Sequence, residues 1–328
     1  MVAAGPSHVK MVILQTAESK GIVATCYRSL VGALLPLHGL TFSVAGPGRV
    51  GASLAAWLEA RGARRIAAVG RAGLPGLSTA GQGLLLVAVP DPVLPAVATE
   101  LAHRPQAAVV LHTSGNLDAG ALAPLKAAGS AVGTLHPLKA FPHPLPDPEQ
   151  ASGVFFAVDG DPPARDLAFR LAAAWGAEAA LVPAAARSLY HFAATLAAGG
   201  VVTLLAAAEE IAGRLGLPPA VTRGYLELCR GAVAGATEAQ REDRPLGATL
   251  TGPVARGDRE TVQRHLAILR ELMPEKLPLT LALARETLHQ RERGSGLGPG
   301  HREVQEELDL EEHGHTDEQG RARTSTDG

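Results

Sequence analysis

Residues 41–61 read TFSVAGPGRVGASLAAWLEAR, and this stretch decides the fold. Thr41–Ala45 is a short apolar run with the length of a buried strand. The hexapeptide Gly46-Pro47-Gly48-Arg49-Val50-Gly51 follows at once, and residues 52–61 then place apolar side chains at helical spacing up to Gly62. The order predicts a β-strand, a glycine-rich turn and an α-helix.

The glycine-rich turn fits the pattern G-x-G-x-x-G, in which each glycine meets a different steric need. Gly46 would permit the tight turn, Gly48 the close approach of a pyrophosphate, and Gly51 close packing of helix on strand. The amides that begin the helix, at Arg49 and Val50, would then face the phosphates. The segment therefore predicts a dinucleotide-binding turn, and the alternative is an ordinary glycine-rich turn.

The end of the second predicted strand, residues 65–69, bears on the choice of cofactor. Folds that bind NAD usually carry Asp or Glu about 20 residues after the turn, where it holds the ribose hydroxyls. Here Gly70 and Arg71 follow the strand, and Arg71 lies 20 residues after Gly51. An arginine suits a 2′-phosphate. NADP(H) is therefore the predicted cofactor, and NAD(H) is less favoured. The alternative is that Arg71 is a solvated surface residue with no role in binding.

Short apolar strands alternate with helical segments as far as residue 183. Further strands are predicted at residues 84–89, 107–111, 131–135, 153–158 and 177–182. The alternation predicts the α/β class, with a Rossmann doubly wound, mainly parallel sheet over residues 39–183 that helices cover on both faces. Ligands bind at the carboxyl ends of such strands. Pro90, Thr113 and Ser114 lie at such ends and are candidate cofactor contacts, with polar turns and helix caps as the alternative.

The remaining segments differ in character from this domain. Residues 184–290 show long helical patterns, beginning with an alanine-rich one over residues 184–215, and predict an all-α C-terminal domain. Residues 1–38 show no clear period and form an N-terminal extension of unclear structure. Residues 291–328 lack an apolar period and are rich in Gly and Glu, so we expect a disordered acidic tail.

Composition and charge narrow the classes of partner. The chain has 328 residues and is 46% hydrophobic but only 3% aromatic, so its cores must be built from Ala, Leu and Val. The net charge of -2 gives no signal for nucleic acid. Residues 291–328 hold five Lys/Arg and ten Asp/Glu, which leaves the preceding residues at about +3, a balance that suits an anionic small ligand.

The cysteines, the N-terminus and the most apolar stretch indicate a cytoplasmic protein. Cys26 and Cys229 are far apart and match no metal-binding spacing. The N-terminus does not fit a signal peptide. Ala193–Ala208 is shorter than the roughly 20 residues of a membrane-spanning helix, and Glu209 follows, so a buried helix is expected. Since residues 184–215 are apolar all round, we expect a homodimer through the helical domain, and no membrane or nucleic-acid partner.

Four further motifs, taken together, resemble one family of proteins. They are HTSG at residues 112–115, LHPLKAF at 135–141, YH at 190–191 and LTGPVARGD at 250–258. In this order they are similar to the predicted NADP oxidoreductases that carry a Rossmann-like domain and the domain DUF2520, over about residues 39–290. The resemblance extends more distantly to ketopantoate reductase, pyrroline-5-carboxylate reductase and the β-hydroxyacid dehydrogenases. It implies hydride transfer and a helical domain that often dimerises.

Hydride transfer to C=O or C=N needs a proton donor and groups that hold the substrate. His136, Lys139, Tyr190 and His191 are the candidate catalytic residues. The alternatives are an ordinary loop for the first two and helix packing for the last two. Arg187 lies one helical turn before His191 and stays protonated, so it is a candidate for binding the substrate.

The motif at residues 250–258 supplies two further candidates for substrate binding, Thr251 and Arg256. The alternative is a structural loop in which Asp258 caps the next helix. Related families often carry an asparagine in the long helix where this chain reads Ala197-Ala198-Gly199-Gly200, so that amide is missing here. No metal site is expected, because His313 and His315 are typical of solvent-exposed residues.

These observations predict an NADP(H)-dependent oxidoreductase. Its substrate would be a small polar, carboxylate-bearing carbonyl or imine compound, and the resemblance suggests a ketopantoate-type keto acid as the first to test. The alternative is a non-catalytic protein that binds NADP(H) and has a regulatory role.

Overall fold

The computed structural model describes residues 11–19, 22–29 and 36–324, with side chains from residue 36 to residue 312. The chain divides into two compact units, residues 1–203 and 204–328. The division falls inside the long helix that begins at Ala184, whereas the sequence pattern placed the domain boundary in front of that helix.

A nine-stranded sheet forms the centre of the first unit. Its strands are β1 Met11–Ser19, β2 Ile22–Ser29, β3 Thr41–Ala45, β4 Arg64–Val69, β5 Leu84–Val87, β6 Val109–His112, β7 Ala131–Pro137, β8 Phe155–Gly160 and β9 Glu178–Leu181. Their order is β1-β2-β9-β8-β7-β6-β5-β3-β4. The five strands from β4 to β7 are parallel, β8 runs antiparallel to β7, and β9 is parallel to β8. The predicted mainly parallel Rossmann sheet is confirmed.

Helices cover both faces of this sheet. The helices of the first unit are α1 Arg49–Ala60, α2 Leu94–Ala102, α3 Ala123–Ala127, α4 Pro162–Ala174 and α5 Ala184–Thr195. In β5, Leu84 and Leu86 face the core under α1 and α4, whereas Leu85 and Val87 face the core under α2 and α3. Because both faces are buried, the strand is apolar at every position rather than at alternate ones.

The first strands correct the prediction of an extension of unclear structure. β1 and β2 pair antiparallel over eight residue pairs, and β2 joins the sheet at β9 through Cys26 opposite Ala180 and Tyr27 opposite Ala179. Residues 22–27 read IVATCY, with three β-branched residues and a tyrosine, which is a composition that favours strands. The side chains of these two strands lie outside the described residues.

The second unit is helical over its described residues, as predicted. The long helix continues from α5 through a π-helical turn, Leu196–Gly200, into α6 Val201–Arg214. The helices that follow are α7 Ala220–Arg241, α8 Pro253–Arg256, α9 Arg259–Leu272, α10 Leu277–Ser295 and α11 Pro299–Thr324. The core of this unit forms where α9, α10 and α11 meet.

Helix α11 shows that the prediction of a disordered tail is wrong. Val304 and Leu308 stand one turn apart, are 0% exposed, and pack into the core with α9 and α10. The acidic side chains of α11 pair with arginines of those helices, as in Glu311 with Arg270 and Glu307 with Arg259, and Asp309 and Glu312 pair with Arg285. Two well-placed apolar residues and these pairs hold a segment whose composition alone indicated disorder. Residues 325–328 lie outside the described residues.

The long helix is not buried within the chain, contrary to the sequence-based expectation. The side chains of Leu189, Phe192 and Val202 are 70%, 57% and 66% exposed. By length and composition alone the helix Ala184–Arg214 could cross a membrane, since an 18-residue window of it has a mean hydropathy of 1.7 and none of that window is buried. Exposed apolar surfaces of this kind are typical of sites that contact a protein or a membrane.

Candidate functional site

The glycine-rich turn has the geometry that the motif predicts. Gly46 has φ = 92°, and a Cβ there would lie 2.5 Å from the carbonyl oxygen of Ala88. A Cβ at Gly51 would lie 2.2 Å from the carbonyl oxygen of Gly46, so the helix packs against the turn itself. Gly48, the N-cap of α1, has open space where a side chain would stand, and no described side chain caps this helix. The turn therefore leaves room for an anion at the helix N-terminus.

A pocket of about 540 Å³ opens beside this turn, at the carboxyl ends of β3, β4 and β5. Four of the predicted cofactor residues line it, namely Gly46, Gly48, Arg71 and Pro90. Its walls also include Leu74, Val93, Val97 and Glu100, which the sequence patterns did not single out. Arg49 is exposed at the start of α1, and Val50 packs against the core of the sheet. We call this cavity the first pocket.

The loop after β6 is held by a buried histidine that sequence reasoning did not assign to the site. His112 is 0% exposed, and its Nδ1 accepts a hydrogen bond from the Ser114 amide at 3.2 Å. Its Nε2 therefore carries the proton and donates to the carbonyl oxygen of Asp118 at 2.9 Å. Burial lowers the pKa of His112 to about 4, so the ring is neutral at physiological pH.

The two predicted cofactor contacts in this loop have structural partners. The Ser114 hydroxyl accepts a hydrogen bond from the amide of Leu117 at 2.9 Å, and Ser114 is buried. The Thr113 amide donates to the carbonyl oxygen of Val87 at 3.2 Å. Neither residue lines the first pocket. This geometry favours the polar-turn interpretation for Ser114, and the half-buried Thr113 hydroxyl stays a prediction.

A second pocket, of about 610 Å³, lies between the carboxyl end of β7 and the helix that starts with α5. The four predicted catalytic residues all line it: His136, Lys139, Tyr190 and His191. The fold thus brings together side chains that lie about fifty residues apart in the chain. The rest of the lining is mostly small and apolar, including Ala194, Ala197, Ala198 and Gly199.

His136 and Tyr190 form a hydrogen-bonded pair in this second pocket. The Tyr190 hydroxyl lies 2.8 Å from Nδ1 of His136, and the two rings meet edge to face. Burial lowers the pKa of His136 to about 4, and repulsion from Arg187 and from the neighbouring histidines acts in the same direction. Burial also raises the pKa of Tyr190 to about 12. Both groups are therefore neutral near pH 7, and the tyrosine retains a proton that it can donate.

Arg187 lies behind this pair rather than in the pocket. It is 1% exposed, and Nη1 donates to the carbonyl oxygen of Ser114 at 3.3 Å while Nη2 donates to the Thr134 hydroxyl. Its Nε has no hydrogen-bond partner among the described residues. Burial lowers the pKa of Arg187, because a charged guanidinium is poorly solvated there. Arg187 is therefore a buried residue whose hydrogen bonds link α5 to β7 and to the loop after β6. This corrects the prediction that Arg187 contacts the substrate.

Thr251 and Arg256 belong to the second unit, and both pockets of the first unit are built without them. Thr251 is exposed, and Arg256 approaches Asp258 to 3.9 Å. Asp258 accepts a hydrogen bond from the Thr261 amide at 3.1 Å and so caps α9. These contacts support the structural interpretation of the motif at residues 250–258.

No group of three or more His, Cys, Asp or Glu in the described part of the chain is arranged to hold a metal ion. His313 and His315 lie outside the described side chains. Cys229 is a half-buried free thiol.

Two family profiles match the chain. The profile of the Rossmann-like domain matches residues 52–137, directly after the glycine-rich turn. The profile of the domain of unknown function DUF2520 matches residues 154–287. It begins in the sheet, ahead of β8, and not at residue 184 as expected from the helical pattern. No curated protein matches the chain.

Several solved structures share the fold. Protein TM1727 of Thermotoga maritima is 21% identical, with a TM-score of 0.61, and the match covers 77% of this chain and 98% of that one. BF3122 of Bacteroides fragilis, a proposed NADP oxidoreductase, is 17% identical, with a TM-score of 0.60 and coverage of 76% and 97%. Pyrroline carboxylate reductase of Plasmodium falciparum, solved with NADP bound, is 12% identical, with a TM-score of 0.51 and coverage of 81% and 99%.

At these identities the structural likeness shows the fold alone. The two profiles and the order of their domains carry the assignment, and they agree with the four motifs at residues 112–115, 135–141, 190–191 and 250–258. The chain therefore carries a region that matches the Rossmann-like domain, followed by a region that matches the domain of unknown function DUF2520.

Proposed function

We propose that this protein is an NADP(H)-dependent oxidoreductase that acts on a C=O or C=N bond. The observation that carries the proposal is the placement of two pockets on the same edge of the sheet. The first holds the glycine-rich turn and Arg71, and the second holds the His136–Tyr190 pair. Only β6 separates β5 from β7, so the two carboxyl ends lie roughly 10 Å apart, which one dinucleotide can span.

The residues of the first pocket fit the adenosine half of such a cofactor. The backbone at Gly46 and Gly48 leaves space for the pyrophosphate at the N-terminus of α1. Arg71 follows β4 where NAD-binding folds carry an acid, and it lines the pocket with its cation at the surface. A guanidinium there would bind a 2′-phosphate through paired hydrogen bonds. Bound NADPH would supply a hydride to the substrate carbon and leave as NADP⁺.

The second pocket supplies the proton that the substrate oxygen or nitrogen needs. Tyr190 keeps its proton near pH 7, because burial raises its pKa to about 12. His136, at 2.8 Å from the hydroxyl, positions the phenol, and it can return a proton to the phenolate from Nδ1 while Nε2 takes up a proton from water. The buried charge of Arg187 acts on Tyr190 in the direction that stabilises the phenolate. Tyr190 is therefore the proton donor we propose, with His136 as its partner.

The lining of the second pocket describes the substrate. Lys139 lies at its exposed rim, where its ammonium can pair with a carboxylate. The small side chains of Ala194 and Ala198 leave room for a short apolar group. A keto acid or cyclic imino acid of modest size combines these features, and ketopantoate remains the first compound to test. A regulatory protein without turnover needs no open pocket beside a proton donor, so the open second pocket favours an enzyme.

We further propose that the exposed helix face is covered by a second copy of the chain in a cytoplasmic homodimer. Leu189, Phe192, Leu196 and Val202 are large apolar side chains that would otherwise stay exposed to water. Sedimentation of the purified protein without detergent should give a dimer, and Phe192→Glu should give a monomer. Pelleting of the wild type with lipid vesicles would instead support a membrane role for the helix Ala184–Arg214.

The test of the proposed cofactor is a titration with NADPH and NADH, followed by nicotinamide fluorescence. The protein should bind NADPH more tightly than NADH. Arg71→Ala should weaken the binding of NADPH and leave the affinity for NADH unchanged. Arg64→Ala is the matched control, since Arg64 is exposed at the opposite end of β4. If neither nucleotide binds, the proposed function fails. Tighter binding of NADH than of NADPH, with both affinities unchanged in Arg71→Ala, would assign the site to NAD(H) instead.

A further inference from the structure

Glu100 stands at the far end of the first pocket and has no role in the sequence motifs or in the family comparisons. Val93, Ala96, Val97 and Glu100 follow one another at helical spacing and line the pocket together. Seven residues at 1.5 Å each place Glu100 about 10 Å along the helix from Val93. The carboxylate is therefore the part of the lining most distant from the glycine-rich turn along α2.

The carboxylate of Glu100 has hydrogen-bonding capacity to spare. Its ion pair with Nη2 of Arg104 is long, at 3.8 Å, and the Glu100 side chain is 41% exposed. Arg104 is held from its other side, because its Nη1 donates to the carbonyl oxygen of Leu74. A carboxylate offers about four acceptor positions, and this pair engages at most one of them.

The lining of the first pocket offers a group for each part of an adenosine phosphate. It includes the backbone of Gly46 and Gly48, the cation of Arg71 and the apolar side chains of Leu74 and Val97. Glu100 is the one carboxylate among the described residues of this lining. A pyrophosphate, a phosphorylated ribose and a flat purine would meet these groups in turn. The exocyclic group of the purine would then face the carboxylate.

An ionised carboxylate can only accept hydrogen bonds. At position 6 adenine presents an exocyclic amino group, which is a donor, whereas hypoxanthine presents a carbonyl oxygen, which a carboxylate repels. We propose that Glu100 is a specificity-determining residue that accepts a hydrogen bond from the exocyclic amine of adenine and so selects adenine dinucleotides. The inference rests on the proposed function, since it assumes that the first pocket binds a dinucleotide.

The test compares NADPH with reduced nicotinamide hypoxanthine dinucleotide phosphate on the full-length protein, by the same fluorescence titration. The wild type should bind the adenine form about tenfold more tightly, as a hydrogen bond to a charged group at a partly exposed site would give. In Glu100→Gln the side-chain amide both donates and accepts, so the preference should fall to about twofold or less. Glu100→Ala should also lose the preference, through weaker binding of the adenine form.

Glu149→Gln is the matched control, because Glu149 is an exposed glutamate of the same unit that does not line the pocket. It should keep the wild-type preference. The inference is overturned, with the proposed function intact, if the wild type binds both bases equally. The inference is also overturned if the Glu100 variants keep the preference for adenine, or if they lower the affinity for both nucleotides to the same degree. If the wild type binds neither nucleotide, the proposed function falls and the inference with it.

Discussion

Replacing His112 by glutamine should make the first unit less sensitive to acid. The folded protein keeps this buried imidazole neutral, since burial lowers its pKa from 6.5 to about 4. The unfolded chain leaves the same group in water, where it takes up a proton below pH 6.5. Between pH 6.5 and pH 4 the unfolded state therefore binds more protons than the folded state, and the free energy of unfolding falls as the pH falls.

The size of the effect follows from the two pKa values. One pKa unit corresponds to about 1.4 kcal/mol, so complete protonation of the unfolded state costs the folded state about 3 kcal/mol below pH 4. Between pH 7 and pH 5 the loss from His112 is about 2 kcal/mol by the same linkage. His136, whose pKa is also lowered to about 4 by burial, contributes in the same direction. The wild type should therefore lose about 4 kcal/mol over this range, and His112→Gln about 2 kcal/mol.

The assay is urea unfolding at pH 7 and pH 5, followed by tryptophan fluorescence. The chain has two tryptophans, and Trp57 and Trp175 are both buried in the core of the first unit, so the signal reports that unit. Glutamine can still donate to the carbonyl oxygen of Asp118, which limits the loss of stability at pH 7 to about 1 kcal/mol. The free energy of unfolding of each variant is compared between the two pH values. The stability lost through the substitution itself therefore cancels.

His103→Gln is the control for this experiment, because it removes an exposed histidine of the same unit and should follow the wild type. The result that refutes the reasoning is a His112→Gln variant that loses as much stability between pH 7 and pH 5 as the wild type does. Such a result would mean that the folded protein accommodates the charged ring, although the hydrogen bond that Nδ1 of His112 accepts from the Ser114 amide needs a neutral imidazole.

Three further substitutions test other parts of the structure. Gly46→Ala places a Cβ 2.5 Å from the carbonyl oxygen of Ala88 at φ = 92°, so it should destabilise the first unit by about 2 kcal/mol or more and abolish NADPH binding in the fluorescence titration. Tyr190→Phe should leave NADPH affinity unchanged and lower kcat by about 100-fold or more in steady-state assays; a smaller loss would assign the proton to another group. Leu308→Ala should cost about 2–4 kcal/mol in urea unfolding followed by circular dichroism, whereas Leu310→Ala, at a 67% exposed position, should cost less than about 0.5 kcal/mol.

The Rossmann sheet of the first unit and its glycine-rich turn could be predicted because their determinants are local. The strand, turn and helix of residues 41–61 lie within one continuous stretch. The apolar runs of β5 and β6 report burial on both faces wherever they occur in a chain. The motifs at residues 135–141 and 190–191 line one pocket in the structure, which their spacing does not indicate, because β9 precedes residues 190–191 and runs antiparallel to β7.

What the sequence did not reveal depends on pairing between distant segments. β2 adds to the sheet at β9, about 150 residues further along the chain, and its own pattern does not name that partner. The acidic excess of α11 indicated disorder in the sequence. In the structure its carboxylates form ion pairs with Arg270 and Arg285 of other helices. Ion pairs and core contacts of this kind are not visible in the composition of either segment.

The roles of single residues within the site were decided in the same way. Arg187 and Arg71 are both arginines near strand ends or helix starts in the sequence, yet Arg187 is buried behind the second pocket and Arg71 lines the first. Spacing along a chain assigns a side chain to a helix face or a strand end. Whether that face meets solvent, a cofactor or another layer of the protein depends on what packs against it, and only the tertiary structure decides this.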